Sequence, residues 1–190
     1  MVFEKDGYAL VNNILNDELC KVASNYALFQ RSTNFSSDVQ VPGVHSMYSD
    51  PLMESILLLL QPKIEEYTNK KLIPVCSYYR VYSDGSILKD HTDRPACEIS
   101  VSITLGYNYT DNKGDYIWPL HVYLNGEKRC FRCDVGDALI FKGAQLVHGR
   151  DLLNAGNDSY HIQLFLHYVD SDGSYTEYKF DNRNCIGINS

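Results

Sequence analysis

"IPVCSYYRVYSDGSILKDHTD", residues 73–93, decides the reading of this chain. Its first part, 73–83, alternates in the way of a strand, and Asp84-Gly85 marks a turn before a second extended run. Successive side chains in a strand point to opposite faces, so residues two apart project together. His91 and Asp93 therefore share a side of the second run. An imidazole and a carboxylate aimed at one point form a proton relay, a buried hydrogen-bonded pair or two corners of a metal site. The residues around them have to choose.

Downstream, further strand candidates follow at short, regular intervals: 98–107, 119–126, 128–134, 137–143, 145–151 and 160–169, separated by NG, GD and KG turn signals. With 73–83 and 86–93 they make eight. Upstream the period changes. Asn16 reads as an N-cap, with Asp17 and Glu18 in the first turn and Leu19, Val22, Ala23, Tyr26 and Ala27 recurring at helical spacing up to Phe29. A second helix opens at Asp50 with Pro51 in its first position, carries Met53, Ile56, Leu57, Leu60 and Ile64 on one face, and ends near Asn69. Between them, residues 30–46 have no period and read as a loop. Helices in front and short strands behind give an α+β class, with a double-stranded β-helix (jelly-roll) of about eight strands as the core. The expected organisation is one domain, 1–190: helical support over 1–70, the jelly-roll over 71–170 and an extension over 171–190.

The totals agree with a globular chain. There are 190 residues, 44% hydrophobic and 22% charged, enough for a sizeable core. Fifteen Tyr against seven Phe and one Trp favour strands and polar-tipped pockets. The net charge of −7 speaks against a general nucleic-acid binder, so none is expected as a partner. The longest apolar run, Ile56 to Leu60, is far below the roughly 20 residues of a membrane span. No basic-then-apolar leader opens the chain, so a cytoplasmic location and six reduced thiols are expected. "CFRC" at 130–133 lacks the second pair that a zinc ribbon needs.

Five of the six histidines fall in the strand region, and His148 lies on the seventh candidate strand. In an eight-stranded jelly-roll the second and seventh strands are neighbours, which lets His91, Asp93 and His148 converge. Two imidazoles and one carboxylate on one face suit non-haem Fe(II) and leave coordination positions open. An isolated HxD is by itself a common tripeptide, and a hydrogen-bonded surface pair is its plainer reading.

The chain resembles the Fe(II)- and 2-oxoglutarate-dependent dioxygenases, in particular their prolyl-4-hydroxylase-like branch. "YSDGSILKDHTD" (82–93) matches a tyrosine, a glycine and then HxD; "VGDALIFKGAQLVH" (135–148) is similar to the strand before the last metal ligand; "FEKDGYALVNNILNDELC" (3–20) resembles the entry strand and helix. The likeness spans nearly the whole chain, and with "QLFLHYVD" (163–170) it extends to small microbial and phage-borne members. It implies Fe(II) held by His91, Asp93 and His148, 2-oxoglutarate and O2 as co-substrates, and hydroxylation of a C–H bond of a protein, peptide or small molecule. Tyr82 matches the tyrosine that lines the co-substrate pocket. The family's basic residue on the eighth strand is absent; His161 stands nearest, and Arg150 or Arg80, on the inward faces of His148 and Tyr82, is expected to replace it.

Ser100, Ser102 and Thr104 alternate inward and suggest a lined pocket rather than a dry core. Arg94 faces either the pocket entrance or the rim. Trp118 and Tyr107, Tyr109 and Tyr116 surround a loop that either covers a substrate or packs over the barrel end. His45 has no evident partner. A cupin-like metalloenzyme without 2-oxoglutarate and a non-catalytic ligand-binding barrel are the alternatives.

Overall fold

A computed structural model describes residues 2–111 and 114–187. In chain order the elements are α1 (Val2–Asp6), β1 (Tyr8–Val11), α2 (Asp17–Thr33), β2 (His45–Tyr48), α3 (Pro51–Thr68), β3 (Leu72–Ser83), β4 (Leu88–His91), β5 (Ile99–Asn108), β6 (Leu120–Leu124), β7 (Glu127–Phe131), β8 (Ala138–Phe141), β9 (His148–Arg150) and β10 (Tyr160–Asp170). Short 3-10 turns occupy Pro95–Cys97 and Thr176–Asn182. The last three residues of the expected 171–190 extension lie outside the described residues.

Both helix starts follow from their caps. The Asn16 side chain accepts the Leu19 N–H at 2.9 Å. Asp50 accepts from Leu52 and Met53 at 2.9 and 3.3 Å with Pro51 at the first position. Such caps satisfy N–H groups that the first turn leaves orphaned. Asn69, in the left-handed region at φ 54°, ends α3. Helix α2 runs four residues past the expected Phe29, where the Ser32 and Thr33 hydroxyls donate to the Leu28 and Phe29 carbonyls. The stretch expected as a loop contains β2, an edge strand paired with β3 from His45↔Val81 to Tyr48↔Tyr78.

Among the described residues, ten strands form two antiparallel sheets, ordered β1-β8-β5-β10-β3-β2 and β4-β9-β6-β7. All eight expected strands are present. Asp84-Gly85 does turn the chain, with Gly85 at φ 80°, a conformation that glycine adopts without steric cost. It is a corner rather than a hairpin, since β3 and β4 belong to different sheets. Asn125-Gly126 makes a true hairpin, joining β6 to β7.

Each face of the larger sheet has its own chemistry. On β10, Ile162, Leu164, Leu166 and Tyr168 point into a core shared with Ala23 and Ala27 of α2 and with Met53, Leu57, Leu60 and Ile64 of α3. Val101, Ile103 and Leu105 of β5 join the same layer. Fully burying a side chain of this kind contributes about 1.5–3 kcal/mol. The alternate residues of the same strands are buried and polar: Ser100, Ser102, Thr104, His161, Gln163 and His167. This polar face looks across the barrel toward the smaller sheet. Period two thus places a dry layer under the helices and a polar lining inside.

All six cysteines are free. Cys130 is exposed and Cys133 buried, on opposite sides of their segment as expected for i and i+3 in extended chain. No helix among the described residues is long and apolar enough to cross a membrane.

Candidate metal centre

Strands β4 and β9 are antiparallel neighbours, and their register sets His91 directly opposite His148. The two rings lie 4.4 Å apart between centroids. Asp93 joins them just past the end of β4, where its N–H donates to the Gly143 carbonyl at 2.9 Å. One donor atom from each of His91, Asp93 and His148 lies within 4.8 Å of the others.

The hydrogen bonds around the rings fix which nitrogens face inward. Nδ1 of His91 donates to the Lys89 carbonyl at 2.8 Å, and Nδ1 of His148 to the Leu146 carbonyl at 2.9 Å. A carbonyl only accepts, so both rings carry a proton on Nδ1, which leaves Nε2 of each as the nitrogen able to ligate a metal. Each Nε2 lies 3.6 Å from Asp93 Oδ1, too long for a hydrogen bond. Two imidazole nitrogens and one carboxylate oxygen thus converge on one point. Such a donor set fits a divalent cation, and backbone carbonyls behind the imidazoles orient them as metal sites require.

Behind Asp93 a second layer holds the carboxylate. Ser100 Oγ donates to Asp93 Oδ2 at 2.7 Å, and His167 Nδ1 lies 3.1 Å from the same hydroxyl. Since the Ser100 proton goes to Asp93, the His167 ring donates. Burial pushes the Asp93 carboxyl up, but His91, His167, His148 and Ser100 more than offset it and hold it well below the usual carboxylate range. Burial pushes His167 down to about 4, so its ring is neutral. A Cβ at residue 143 would collide with Ser100 Oγ and Asp93 Oδ2, so Gly143 is the space in which this layer closes. Ser100 and His167 carried a legible signal, their inward register on β5 and β10, but not their connection to Asp93.

The triad opens into a cavity of about 270 Å³ whose walls include Arg80, Leu88, Arg94, Phe165 and His167. The two candidate anchoring arginines differ sharply. Arg80 Nε donates to Asp38 Oδ2 at 2.7 Å, Nη2 to Gln40 at 2.6 Å and Nη1 to the Tyr82 hydroxyl at 3.3 Å. Its charge is matched by an internal acid. Arg150 is 1% exposed. Its Nη1 donates to the Trp118 carbonyl at 2.6 Å and its Nη2 to Gln163 Oε1 at 2.9 Å, while Nε has no partner. The guanidinium sits 4.8 Å from the Trp118 ring centre, and no carboxylate of the described residues pairs with it. A buried cation without an anion is costly.

Tyr82 is fully buried, its ring edge-on to Trp118 at 5.0 Å. His161 has both nitrogens engaged: Tyr109 Oη donates to Nδ1 at 2.7 Å and Nε2 donates to Gln163 Oε1 at 2.8 Å. Burial, and then the charge of Arg150, hold its pKa well below the ordinary value, so it stands as a neutral prop behind Gln163. Ser102 accepts from Gln163 Nε2 at 2.9 Å, and Thr104 donates to the Cys133 carbonyl. Trp118 is buried, and Tyr107 and Tyr109 stack 4.8 Å apart, leading outward from His161. His45, left unassigned by the sequence, is buried against Tyr79 at 3.3 Å.

No protein-family model and no curated protein matches the chain. Solved structures do. A prolyl-4-hydroxylase of Pseudomonas putida superposes with a TM-score of 0.66 at 14% identity, over 87% of this chain and 95% of that one. HygX of Streptomyces hygroscopicus, with nickel and 2-oxoglutarate bound, gives 0.67 at 11%, over 92% and 87%. The fold is that of the 2-oxoglutarate oxygenases. The non-haem epimerase SnoN of nogalamycin biosynthesis, dependent on the same keto acid, gives 0.70 at 11%, over 89% and 80%. At these identities the likeness concerns the architecture, and the residues above carry the chemistry.

Proposed function

We propose that the chain is an Fe(II)- and 2-oxoglutarate-dependent dioxygenase that hydroxylates a C–H bond, with His91, Asp93 and His148 as the iron ligands. The observation that carries this reading is the convergence of two imidazole Nε2 atoms and one carboxylate oxygen on a single point, inside a barrel with a polar lining. Two histidines and a carboxylate on one face leave open positions on a non-haem iron. With both groups bound, the site supplies oxidative decarboxylation: one oxygen of O2 enters succinate, released with CO2, and the other enters the substrate as a hydroxyl.

The chain's own residues divide the remaining tasks. Arg150 receives the distal carboxylate of 2-oxoglutarate, which gives the buried guanidinium the anion it lacks. Trp118 and Gln163 hold that guanidinium in place, and His161 holds Gln163. Tyr82 packs edge-on against the same Trp118 ring that lies beside Arg150. Arg80, already paired with Asp38, faces the cavity beside the triad. Ser100 and His167 fix the free orientation of Asp93. The substrate is a peptide side chain or a small molecule. A relative from Trichoplax adhaerens was solved with a peptide fragment and HygX with hygromycin B, which brings both classes into view.

Anaerobic titration with Fe(II) and then 2-oxoglutarate tests the reading through the visible charge-transfer band of the chelate. A band in the wild type that is weakened in Arg150→Ala and kept in Arg80→Ala supports it. Bound iron with no band on adding 2-oxoglutarate overturns the co-substrate and favours a cupin-like metalloenzyme.

A further inference from the structure

At the mouth of the cavity the chain supplies its own carboxylate to an arginine. Arg94, the residue after Asp93, lines the cavity and so does Tyr48. Arg94 donates from Nη1 to Asp181 Oδ1 at 2.7 Å and from Nη2 to Asp181 Oδ2 at 2.6 Å, a two-pronged pairing of guanidinium with carboxylate. The Tyr48 hydroxyl donates to the same Oδ2. Three donors from two distant parts of the sequence thus meet on one carboxylate. The Arg94 side chain remains 49% exposed, whereas that of Asp181 is 11% exposed.

The segment that delivers Asp181 is held in an unfavourable shape. Phe180, Asp181 and Asn182 lie at φ 54°, 55° and 61°, three successive left-handed residues without a glycine. L-residues enter this region singly, and a run of them persists only where the surroundings impose it. Here the imposing contacts lie on either side. Arg183 is pinned to the buried Glu54 at 2.6 Å and to the Phe180 carbonyl at 2.8 Å. Arg94 pins Asp181 itself. Of these two anchors, the Arg183 pair is closed off, with side chains 3% and 0% exposed. The Arg94 pair opens onto the cavity and can be exchanged for another anion.

We propose that Arg94 and Tyr48 form the receptor for a carboxylate of the substrate, and that Asp181 occupies this receptor until the substrate displaces it. The inference rests on the oxygenase reading for the word substrate; the receptor itself does not depend on a metal. It places a carboxylate-bearing molecule, or a carboxylate side chain, at the rim on the side of Asp93. Displacement frees the strained run to relax, which offsets part of the cost of breaking the internal pair.

The test uses the full-length, metal-free protein, with propionate and its neutral isostere propionamide as probes in saturation-transfer NMR. Asp181→Asn keeps the shape of the side chain and removes the internal anion, and it is expected to tighten propionate binding about tenfold. Adding Arg94→Gln to Asp181→Asn is expected to abolish binding, Arg94→Lys to restore it in part, and propionamide to bind to none of them. Should Asp181→Asn lower the melting temperature, Tyr48→Phe serves instead: it leaves the ion pair intact and should weaken wild-type propionate binding. Propionate binding unchanged by Asp181→Asn, binding that survives Arg94→Gln, or equal binding of the amide overturns the proposal. The iron titration reports separately, so a missing charge-transfer band beside a positive propionate result removes the oxygenase and keeps the receptor.

Discussion

Replacing Arg150 with methionine should separate ligand binding from stability, and in opposite directions. The guanidinium is fully buried, keeps two hydrogen bonds and has no acid within reach among the described residues. Truncating one member of a desolvated charge pair costs about 2–5 kcal/mol of binding. Taking about 3 kcal/mol, the dissociation constant for 2-oxoglutarate should rise about 150-fold. The free protein should behave differently. Methionine loses the bonds to the Trp118 carbonyl and Gln163 but removes an uncompensated cation, and Gln163 Oε1 keeps His161 as a donor. Replacing buried charge by apolar volume is often neutral or stabilising. The metal-free variant should therefore melt at the wild-type temperature or about 2–4 °C above it. Thermal unfolding with and without 2-oxoglutarate reads both quantities. At a hundred times its dissociation constant the ligand should stabilise the wild type by about 2.7 kcal/mol, and the variant at the same concentration by far less. A variant that melts well below the wild type yet keeps its ligand-induced shift would show that Arg150 is a structural post, and the anchoring role would fall.

Asp93→Ala should abolish iron-dependent succinate formation while the circular dichroism spectrum is unchanged; full turnover in that variant refutes the ligand assignment. His167→Phe should weaken Fe(II) binding about 10- to 100-fold through loss of the layer behind Asp93, measured by chelator competition; wild-type affinity would count against that role. Asp38→Asn should destabilise the fold by about 3 kcal/mol at neutral pH because Arg80 loses its acid. Burial pushes the Asp38 carboxyl up, but Arg80 and Tyr78 outweigh it, so its folded pKa lies below the ordinary value. Its contribution is thus complete above about pH 4 and disappears as the pH falls through the lowered value. Denaturation midpoints of variant and wild type should converge only on that acid side, and a constant gap down to acid pH would contradict the pairing.

How much of this was legible in the sequence depended on the range of the interaction. The helix starts were readable because Asn16 and Asp50 act on N–H groups two or three residues away. The strands were readable because burial imposes period two, and the same period set His91 and Asp93 on one side. Strand β2 was missed because four residues on a sheet edge show too few alternations to register. The choice between Arg80 and Arg150 was beyond reach for another reason. It turns on Asp38, 42 residues before Arg80 in the chain, and on the lack of any such acid beside Arg150. Asp181 is farther still from Arg94, and only the closed fold brings them together. Local chemistry can be read along a chain, but the neutralisation of a buried charge cannot.

The carbonyls of Lys89 and Leu146 that orient the two imidazoles carry one more consequence. Both belong to the β4 and β9 segments themselves, and Asp93 is tied to Ser100 without help from any ion. Folding therefore builds the cradle in advance, unlike small zinc modules whose chains collapse only around their metal. Stripping the ion should leave a folded, refillable protein. Manganese, cobalt, nickel and iron should exchange through it freely, so the metal that the protein carries will report the supply around it rather than a selection made while the chain folds.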